Sequence, residues 1–458
     1  MTQVDAGSFR DPDSRVYVED GTVFRALSAR GLTDYEAFAA SKLHAKTQED
    51  GSVVRTARAD TDGPAILSHG DATAAVLVHE RIPFVTYPYE WCFGMLKDAA
   101  ALQLDLLDRA LTEGLSLKDA TPYNVQWQGT KPVFVDVGSF ERLRGNEPWI
   151  GYRQFCTLYL YPLMLTAYAG VSFQPWLRGS LEGIDPADAA ALLPRKKGVT
   201  INARLLARLE RRTSDDDSAR NTNAKLAKAG FKPEIIQAQV RRLHKLVKGL
   251  EWKPGKSTWS EYDADNRGYD EPDLEAKRGF VEQVAARVRP DLAWDLGAND
   301  GYFARVVSPH AKTVIAMDFD HETVEKMYRQ LDTTNVTPLV VDLCDPSPSR
   351  GWALAERGPL PERGRPNLTL SLALIHHISI TRNIPVRAIL EWLKSLGGTH
   401  VIEMPHRDDA MVQRLLSAKR DDEAHPDYHR EPFETALNEI FTVHDRLELS
   451  SRTLYDVS

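Results

Sequence analysis

The chain has 458 residues, 42% hydrophobic and 27% charged, so its length calls for two or three separate cores. Its net charge of -8 offers no general attraction to nucleic acid or to an anionic membrane, which argues against both as partners. Its three cysteines, Cys92, Cys156 and Cys344, stand in no metal-ligand spacing, which argues against a disulfide framework and predicts reduced thiols in a cytoplasmic protein. The opening MTQVDAGSFRDPDSR has no basic segment followed by an apolar run, and no stretch reaches 18 uninterrupted apolar residues, so neither export nor a membrane span is expected.

The first predicted elements are strands. RVYVEDGTVFRAL reads as a hairpin turning at Asp20-Gly21, a helix is expected over 34–46, and AAVLVHERI and FVTYPYEW read as two further strands. A long helix over 93–113 leads to LKDATPYNVQWQGTKPVFVDVGSF, in which VQW and PVFVDV form a hairpin around Gln128-Gly129-Thr130. Within that stretch Asp119 precedes Asn124 by five positions, and Asp136-Val137-Gly138 follows the hairpin. Phosphoryl transfer needs a carboxylate on the acceptor, an amide oxygen and a second carboxylate on Mg²⁺, and a cation on the nucleotide phosphates. The first three are present in that order.

On these residues the region from about 15 to 180 resembles the protein-kinase and aminoglycoside-phosphotransferase superfold. The resemblance implies Asp119 as catalytic base, Asn124 and Asp136 as Mg²⁺ ligands, and ATP as nucleotide. The sequence departs from that pattern in three places. The first hairpin has only Gly21 where a Gly-rich phosphate loop belongs. Arg25 is the visible substitute for the phosphate-binding Lys, with Glu36 on the next helix as its candidate partner. Leu117-Lys118 replaces the His-Arg that precedes the catalytic Asp. Three readings stay open: an active small-molecule or glycan kinase, a degenerate kinase-like module that binds nucleotide or substrate, and an unrelated α+β domain whose acids cap turns.

From 148 to 250 the pattern is helical. FCTLYLYPLMLTAYAG, interrupted by Pro162, reads as a buried helix, and PEIIQAQVRRLHKLVKGL repeats Ile235, Ile236, Val240, Leu243, Leu246 and Val247 at helical spacing. The basic stretches RLLARLERR and QVRRLHKLVKGLEWK read as solvated or interdomain faces rather than an RNA surface. RRTSDDDSARNTNAK reads as an exposed loop, and Tyr262 and Tyr269, in the polar stretch that follows, are candidates to cover a cofactor pocket.

A helix over 274–288 opens an alternation of strands and helices. DLAWDLGANDGYFARVV is a strand running through a glycine turn into a helix, in which Gly297 and Gly301 let the backbone pass beneath a ligand and Asp295 fixes the loop or receives a cation. Asn299 replaces a third glycine and tolerates positive φ better than most residues. Asp318 ends the next strand 23 positions after Asp295, placed to accept both hydroxyls of a ribose. Asp342, after the third strand, is placed for the exocyclic amine of adenine. NLTLSLALIHHIS ends in His376 and His377, THVIEMP carries Glu403, and in RDD at 407–409 Asp408 or Asp409 is a helix cap.

Over about 280–458, including the closing SSRTLYDV strand, these residues resemble the class I S-adenosylmethionine-dependent methyltransferases. Within that class, ALIHHISITRNIP and VIEMPHRDDAMVQRLL are similar to the nodulation-protein NoeA-like group. The resemblance implies S-adenosylmethionine on a loop of Asp295, Gly297, Asn299 and Gly301, with Asp318 on its ribose and Asp342 on its adenine. His376, His377 and Glu403 are candidates for the base that removes the acceptor's proton. A nicotinamide-dependent dehydrogenase is disfavoured by the glycine spacing and by the lack of a role there for the third-strand acid.

The sequence therefore predicts a cytoplasmic multidomain protein: an α+β kinase-like N-terminal region (1–147), a helical middle (148–262) and a C-terminal α/β Rossmann-like methyltransferase domain (263–458). The expected activity is methyl transfer to a small-molecule or glycan-type acceptor. The alternatives are a bifunctional kinase-methyltransferase and a non-catalytic binding scaffold.

Overall fold

The computed structural model describes residues 2–61, 63–67, 72–143, 148–194, 233–253, 255, 271–420 and 428–458. RLLARLERR, RRTSDDDSARNTNAK, Tyr262 and Tyr269 lie outside them. The chain divides into two compact units, the first of Met1–Trp127, Pro132–Lys253 and Ser349–Gly358, the second of Gln128–Lys131, Pro254–Pro348 and Pro359–Ser458.

Unit 1 begins with β1 (Gln3–Val4), β2 (Ser14–Glu19), β3 (Thr22–Leu27), β4 (Thr56–Arg58) and β5 (Ala75–His79). They form an antiparallel sheet in the order β1-β2-β3-β5-β4. Asp20 and Gly21 both take positive φ, at 48° and 82°, the backbone that lets a two-residue turn follow the twist of its strands. Tyr17 from β2, Ala26 from β3 and Val76 from β5 share a small core with Leu67. The single helix expected over 34–46 is two helices, Ala29–Ala39 and Lys42–Asp50. Ser28 and Ser41 each accept a bond from a first-turn N–H, at 3.1 Å from Gly31 and 3.1 Å from His44, so each starts its own helix.

FVTYPYEW forms no strand. Pro88 opens the 3-10 turn Pro88–Glu90, and the Glu90 carboxylate accepts from the Tyr87 N–H at 3.0 Å. Proline has no donor for a ladder, so the alternating apolar pattern there is overruled. The helix Phe93–Thr112 then leads to β6 (Leu115–Leu117), β7 (Val125–Gln128), β8 (Lys131–Phe134) and β9 (Phe140–Arg142). β7 pairs with β8 as the expected hairpin, and β9 returns antiparallel beside β6. Residues 118–124 thus leave β6, and Asp136-Val137-Gly138 leads into its partner β9.

Farther along, Tyr161–Ala169 is buried along its first two turns and follows a π-helical stretch, Cys156–Leu160. Pro162 supplies no N–H, and the helical ladder is irregular in the turn before it. The helix Pro233–Lys248 buries Ile236, Val240, Leu243 and Val247, while Ile235 is 51% exposed and stands off the packed face. Among the described residues no helix is long and apolar enough to cross a membrane.

Unit 2 is built on seven strands: β10 (Leu292–Leu296), β11 (Thr313–Asp318), β12 (Val336–Val340), β13 (Leu368–Ser371), β14 (Thr399–Pro405), β15 (Val443–Glu448) and β16 (Arg452–Val457). Their order is β12-β11-β10-β13-β14-β16-β15. The first five are parallel, and β16 enters antiparallel between β14 and β15. This is the α/β architecture that a class I methyltransferase resemblance implies, last hairpin included. β10 to β12 run outward one way and β13 to β14 the other, so the strand order reverses between β10 and β13. A crevice opens above the carboxyl ends of the strands at such a reversal.

Candidate active site

The crevice is made by the loop that leaves β10. Gly297, Asn299 and Gly301 hold φ of 73°, 49° and 75°, the left-handed backbone that folds the chain back under the opening. A Cβ on Gly297 would stand 3.0 Å from Leu374 Cδ1, and one on Gly301 2.8 Å from Met327 Sδ, so neither position has room for a side chain. The N–H groups of Gly297 and Ala298 both donate to the Met317 carbonyl at 2.9 Å, tying the loop to β11. Asp318, at the end of β11, receives the Asn299 N–H on Oδ2 and the Asp320 N–H on Oδ1, each at 2.9 Å. A carboxylate has about four acceptor positions, and those of Asp318 that are used go to backbone N–H groups. Burial pushes its carboxyl up to about 6, against the pull of those N–H donors.

Asp295 lies beneath the loop, buried, and its Oδ2 has no hydrogen-bond partner. Burial pushes this carboxyl up to about 7, with the Lys277 ammonium opposing. Lys277, from the helix Glu271–Val288, is 1% exposed, donates to Glu403 Oε2 at 2.8 Å and lies 4.7 Å from the centre of the Phe303 ring. Its ammonium is brought down to about 8 by burial. Glu403 also accepts the Ala373 N–H and has Arg452 Nη1 at 3.6 Å, while Arg452 Nε donates to Asp409 Oδ2 at 2.8 Å. Asp409 in turn caps the helix Ala410–Ser417 through the Met411 and Val412 N–H groups. Glu403 is therefore a fully buried, doubly ion-paired strut behind the crevice wall.

The two histidines are not on a strand. β13 ends at Ser371, Ala373 takes a φ of 48°, and His376 and His377 fall in the turn that becomes the π-helical stretch His377–Thr381. Their rings lie 4.0 Å apart and both line the cavity. Burial holds the His376 imidazole well below its ordinary range, and its Nδ1 has no partner. His377 is half-buried; burial, then the Arg452 charge, brings it down to about 4, with Asp409 opposing. Both rings are therefore neutral at pH 7.

The cavity encloses about 310 Å³, at the lower end of small-ligand sites. Phe303, Phe319, Leu374, Met411 and Leu415 give it apolar walls. Asp342 stands at the rim with Oδ1 taken by the Cys344 N–H and Oδ2 by Arg382 Nη2, each at 2.9 Å. The fold thus brings Asp295, Gly297, Asn299, Asp318, Asp342, His376 and His377 to one cavity, with Gly301 in the loop beside it but not lining it, and leaves Glu403 behind it. Lys277, Arg382 and Arg452 line the same cavity and escape sequence reading: the helix of Lys277 carries no motif, and nothing in ALIHHISITRNIP or SSRTLYDV singles out its arginine.

Unit 1 gathers its own polar cluster. Arg25, on β3, donates through Nη1 to Asp136 Oδ1 at 2.8 Å and to Ser14 Oγ at 3.0 Å. Asn124 Nδ2 donates to Asp136 Oδ2 at 3.2 Å. Asp119 is held by its backbone, its N–H on Ser139 Oγ at 3.1 Å and its carbonyl under Gln103 Nε2 at 3.0 Å. Its carboxyl is pushed up to about 6 by burial first and by Asp136 second. Glu36 pairs with Arg58 at 3.8 Å, not with Arg25. Among the described residues no group of three or more His, Cys, Asp or Glu side chains is arranged to hold a metal.

No protein-family model matches the chain. Two of the solved structures that resemble part of it are methyltransferases. The N-methyltransferase NodS from Bradyrhizobium japonicum WM9, in complex with S-adenosyl-L-homocysteine, is 15% identical, covers 43% of this chain and 93% of its own, and has a TM-score of 0.32. Magnesium protoporphyrin IX methyltransferase from Synechocystis PCC 6803 with bound S-adenosyl-L-homocysteine is 13% identical, covers 43% and 92%, and has a TM-score of 0.30. The nodulation protein NoeA of Rhizobium meliloti (strain 1021) is 32% identical over 467 residues, which take in 98% of this chain and 95% of that protein. With that identity along nearly its whole length, the chain belongs to the family of the nodulation protein NoeA.

Proposed function

We propose that the protein is an S-adenosylmethionine-dependent methyltransferase acting on a small-molecule or glycan-type acceptor, with the reaction in the crevice of unit 2. The observation that carries this reading is a buried acceptor set left incomplete by the fold itself. Asp295 keeps an unpartnered oxygen, Asp318 accepts from backbone N–H groups, and both line the cavity. Buried polar atoms are rarely left unsatisfied unless a ligand or water completes them. A nucleoside with a cationic amino-acid arm has the matching groups: ribose hydroxyls for Asp318, an exocyclic amine for Asp342, and an ammonium for Asp295.

When bound, S-adenosylmethionine supplies a methyl group already activated by its sulfonium. The chain's own residues then have three tasks. Phe303, Leu374, Met411 and Leu415 exclude water and narrow the approach, which raises the share of aligned encounters. His377, neutral and half-buried at the cavity wall, accepts the proton of the acceptor's hydroxyl or amine on a ring nitrogen. Lys277, Glu403, Arg452 and Asp409 brace the strands and the helix on which these groups stand, and the Arg452 charge helps keep His377 unprotonated. Incubating the protein and isotopically labelled S-adenosylmethionine with a cell extract tests the reading: one small species gains the label and 14 mass units. Label that stays on the cofactor throughout would contradict it.

We further propose that unit 1 is a kinase-like module that binds nucleotide or substrate. The support is the sequence of β6, acid-bearing loop, hairpin and β9, which brings Asp119, Asn124 and Asp136 together from positions 17 residues apart.

A further inference from the structure

We propose that in unit 1 the Arg25 guanidinium stands in the place of a divalent cation, so that this site does not take a metal-bound nucleotide. The inference rests on the kinase-like reading of unit 1 and narrows it.

A Mg²⁺ ion between an Asp and an Asn needs a carboxylate oxygen with an open lone pair and the oxygen end of the amide. Neither is offered. Asp136 Oδ1 accepts Arg25 Nη1 at 2.8 Å, in a pair whose side chains are 8% and 17% exposed. Asp136 Oδ2 accepts Asn124 Nδ2 at 3.2 Å. An ionised carboxylate only accepts, so Asn124 presents its NH₂ to Asp136 and turns its oxygen away.

Arg25 is also fixed in place. Its Nη1 donates to Ser14 Oγ at 3.0 Å as well, which holds the guanidinium from the β2 side. Gly138 supplies a second, independent sign. A Cβ there would come within 3.1 Å of Arg25 Nη1, while its φ lies outside the left-handed region. The glycine of Asp-Val-Gly thus leaves room that a side chain would crowd, and the guanidinium lies in that room. A guanidinium keeps its charge at any working pH, so this cation cannot be switched off by deprotonation.

The surrounding charges agree. Lys118, the other cation facing Asp119, is paired with Asp11 at 3.4 Å. Asp136, Asp11 and Glu141 all act on Asp119 to keep it protonated. A triphosphate entering here would meet acids ahead of any uncommitted cation among these groups, and like charges in a half-buried site repel strongly.

The test is Mn²⁺ binding to the full-length protein, followed by electron paramagnetic resonance and by thermal shift with and without ATP. Three proteins are compared: the wild type, Asp136→Asn and Arg25→Ala. The wild type is expected to show no Mn²⁺ binding that Asp136→Asn removes, and no ATP shift that depends on Mn²⁺. Arg25→Ala is expected to bind Mn²⁺ about tenfold more tightly than the wild type, and to lose that gain when Asp136→Asn is added. Mn²⁺ bound by the wild type through Asp136 would overturn the inference while leaving the kinase-like reading standing. A folded Arg25→Ala protein that still ignores Mn²⁺ would overturn both, since Asp136 and Asn124 would then not be a metal site in disguise. If Arg25→Ala does not fold, the comparison of wild type with Asp136→Asn decides alone.

Discussion

The acids of the two units are held in opposite ways. In unit 2, Asp295 keeps an oxygen with no partner and Asp318 spends acceptor positions only on backbone N–H groups. In unit 1, each oxygen of Asp136 accepts from a side chain, one of them cationic. A buried polar atom left unpaired costs about 1–3 kcal/mol, which a ligand's hydrogen bond recovers at Asp295. At Asp136 the cation is the protein's own arginine. Residue types alone do not separate the two cases, since both clusters are aspartates beside glycines; the distinction lies in what already occupies their lone pairs.

The strongest way to break this comparison is at His377. His377→Ala is expected to slow methyl transfer by about 10²- to 10⁴-fold while leaving S-adenosylmethionine affinity unchanged, as single-turnover rates and calorimetry report. Loss of affinity with an unchanged rate at saturation would make His377 a cofactor contact instead of a base. Next is the strut behind the wall. Lys277→Met leaves Glu403 without its closest cation and is expected to lower stability by about 3–5 kcal/mol in a urea melt, with Lys277→Met/Glu403→Leu recovering part of the loss. A melt like the wild type's for the single variant would show that the buried pair carries no stability.

Acid sharpens the contrast further. His377 and His400 titrate at about 4 in the folded chain against an unfolded value near 6.5, so between those pH values the unfolded chain binds more protons. Stability is therefore expected to fall as pH drops from 6.5 to 4, by up to about 1.4 kcal/mol per pH unit for each such group. Asp119 has the opposite sign: its folded value of about 6 lies above the unfolded one, so its ionisation costs stability as pH rises through 6. Asp119→Asn should raise the melting midpoint at pH 8 and leave it unchanged at pH 4. An equal effect at both would show that charge burial is not the cause. The smallest expected effect is at the rim, where Arg382→Ala frees Asp342 from a half-exposed pair and tightens S-adenosylmethionine by about two- to fivefold. Weaker binding would mean that Arg382 itself holds the cofactor.

Much of the crevice was readable because its residues are local. Strand, glycine turn and helix from Asp295 to Gly301 lie within one short motif, and the acids after β11 and β12 follow from strand periodicity. Lys277 and Arg452 were not readable, since the ion pairs that join them to Glu403 cross 126 and 49 positions of sequence. Glu403 looked like a base because it ends a strand, and only the three-dimensional packing reveals two cations upon it. In unit 1, FVTYPYEW misled because proline erased the donors its apolar alternation required. The break at Ser41 was visible in principle, as a serine three residues before the N–H that it caps. Arg25 was read as the substitute for a phosphate-binding Lys, and its partner is Asp136 rather than Glu36.

Calorimetric titration of S-adenosylmethionine into the full-length protein, alongside Asp318→Ala, tests the central claim most directly. One site per chain is expected in the wild type, with affinity lowered about 100-fold or more in the variant, because the ribose hydroxyls lose their buried acceptor. No heat of binding in the folded wild type, or equal affinity in the two proteins, would contradict the assignment of the crevice to that cofactor.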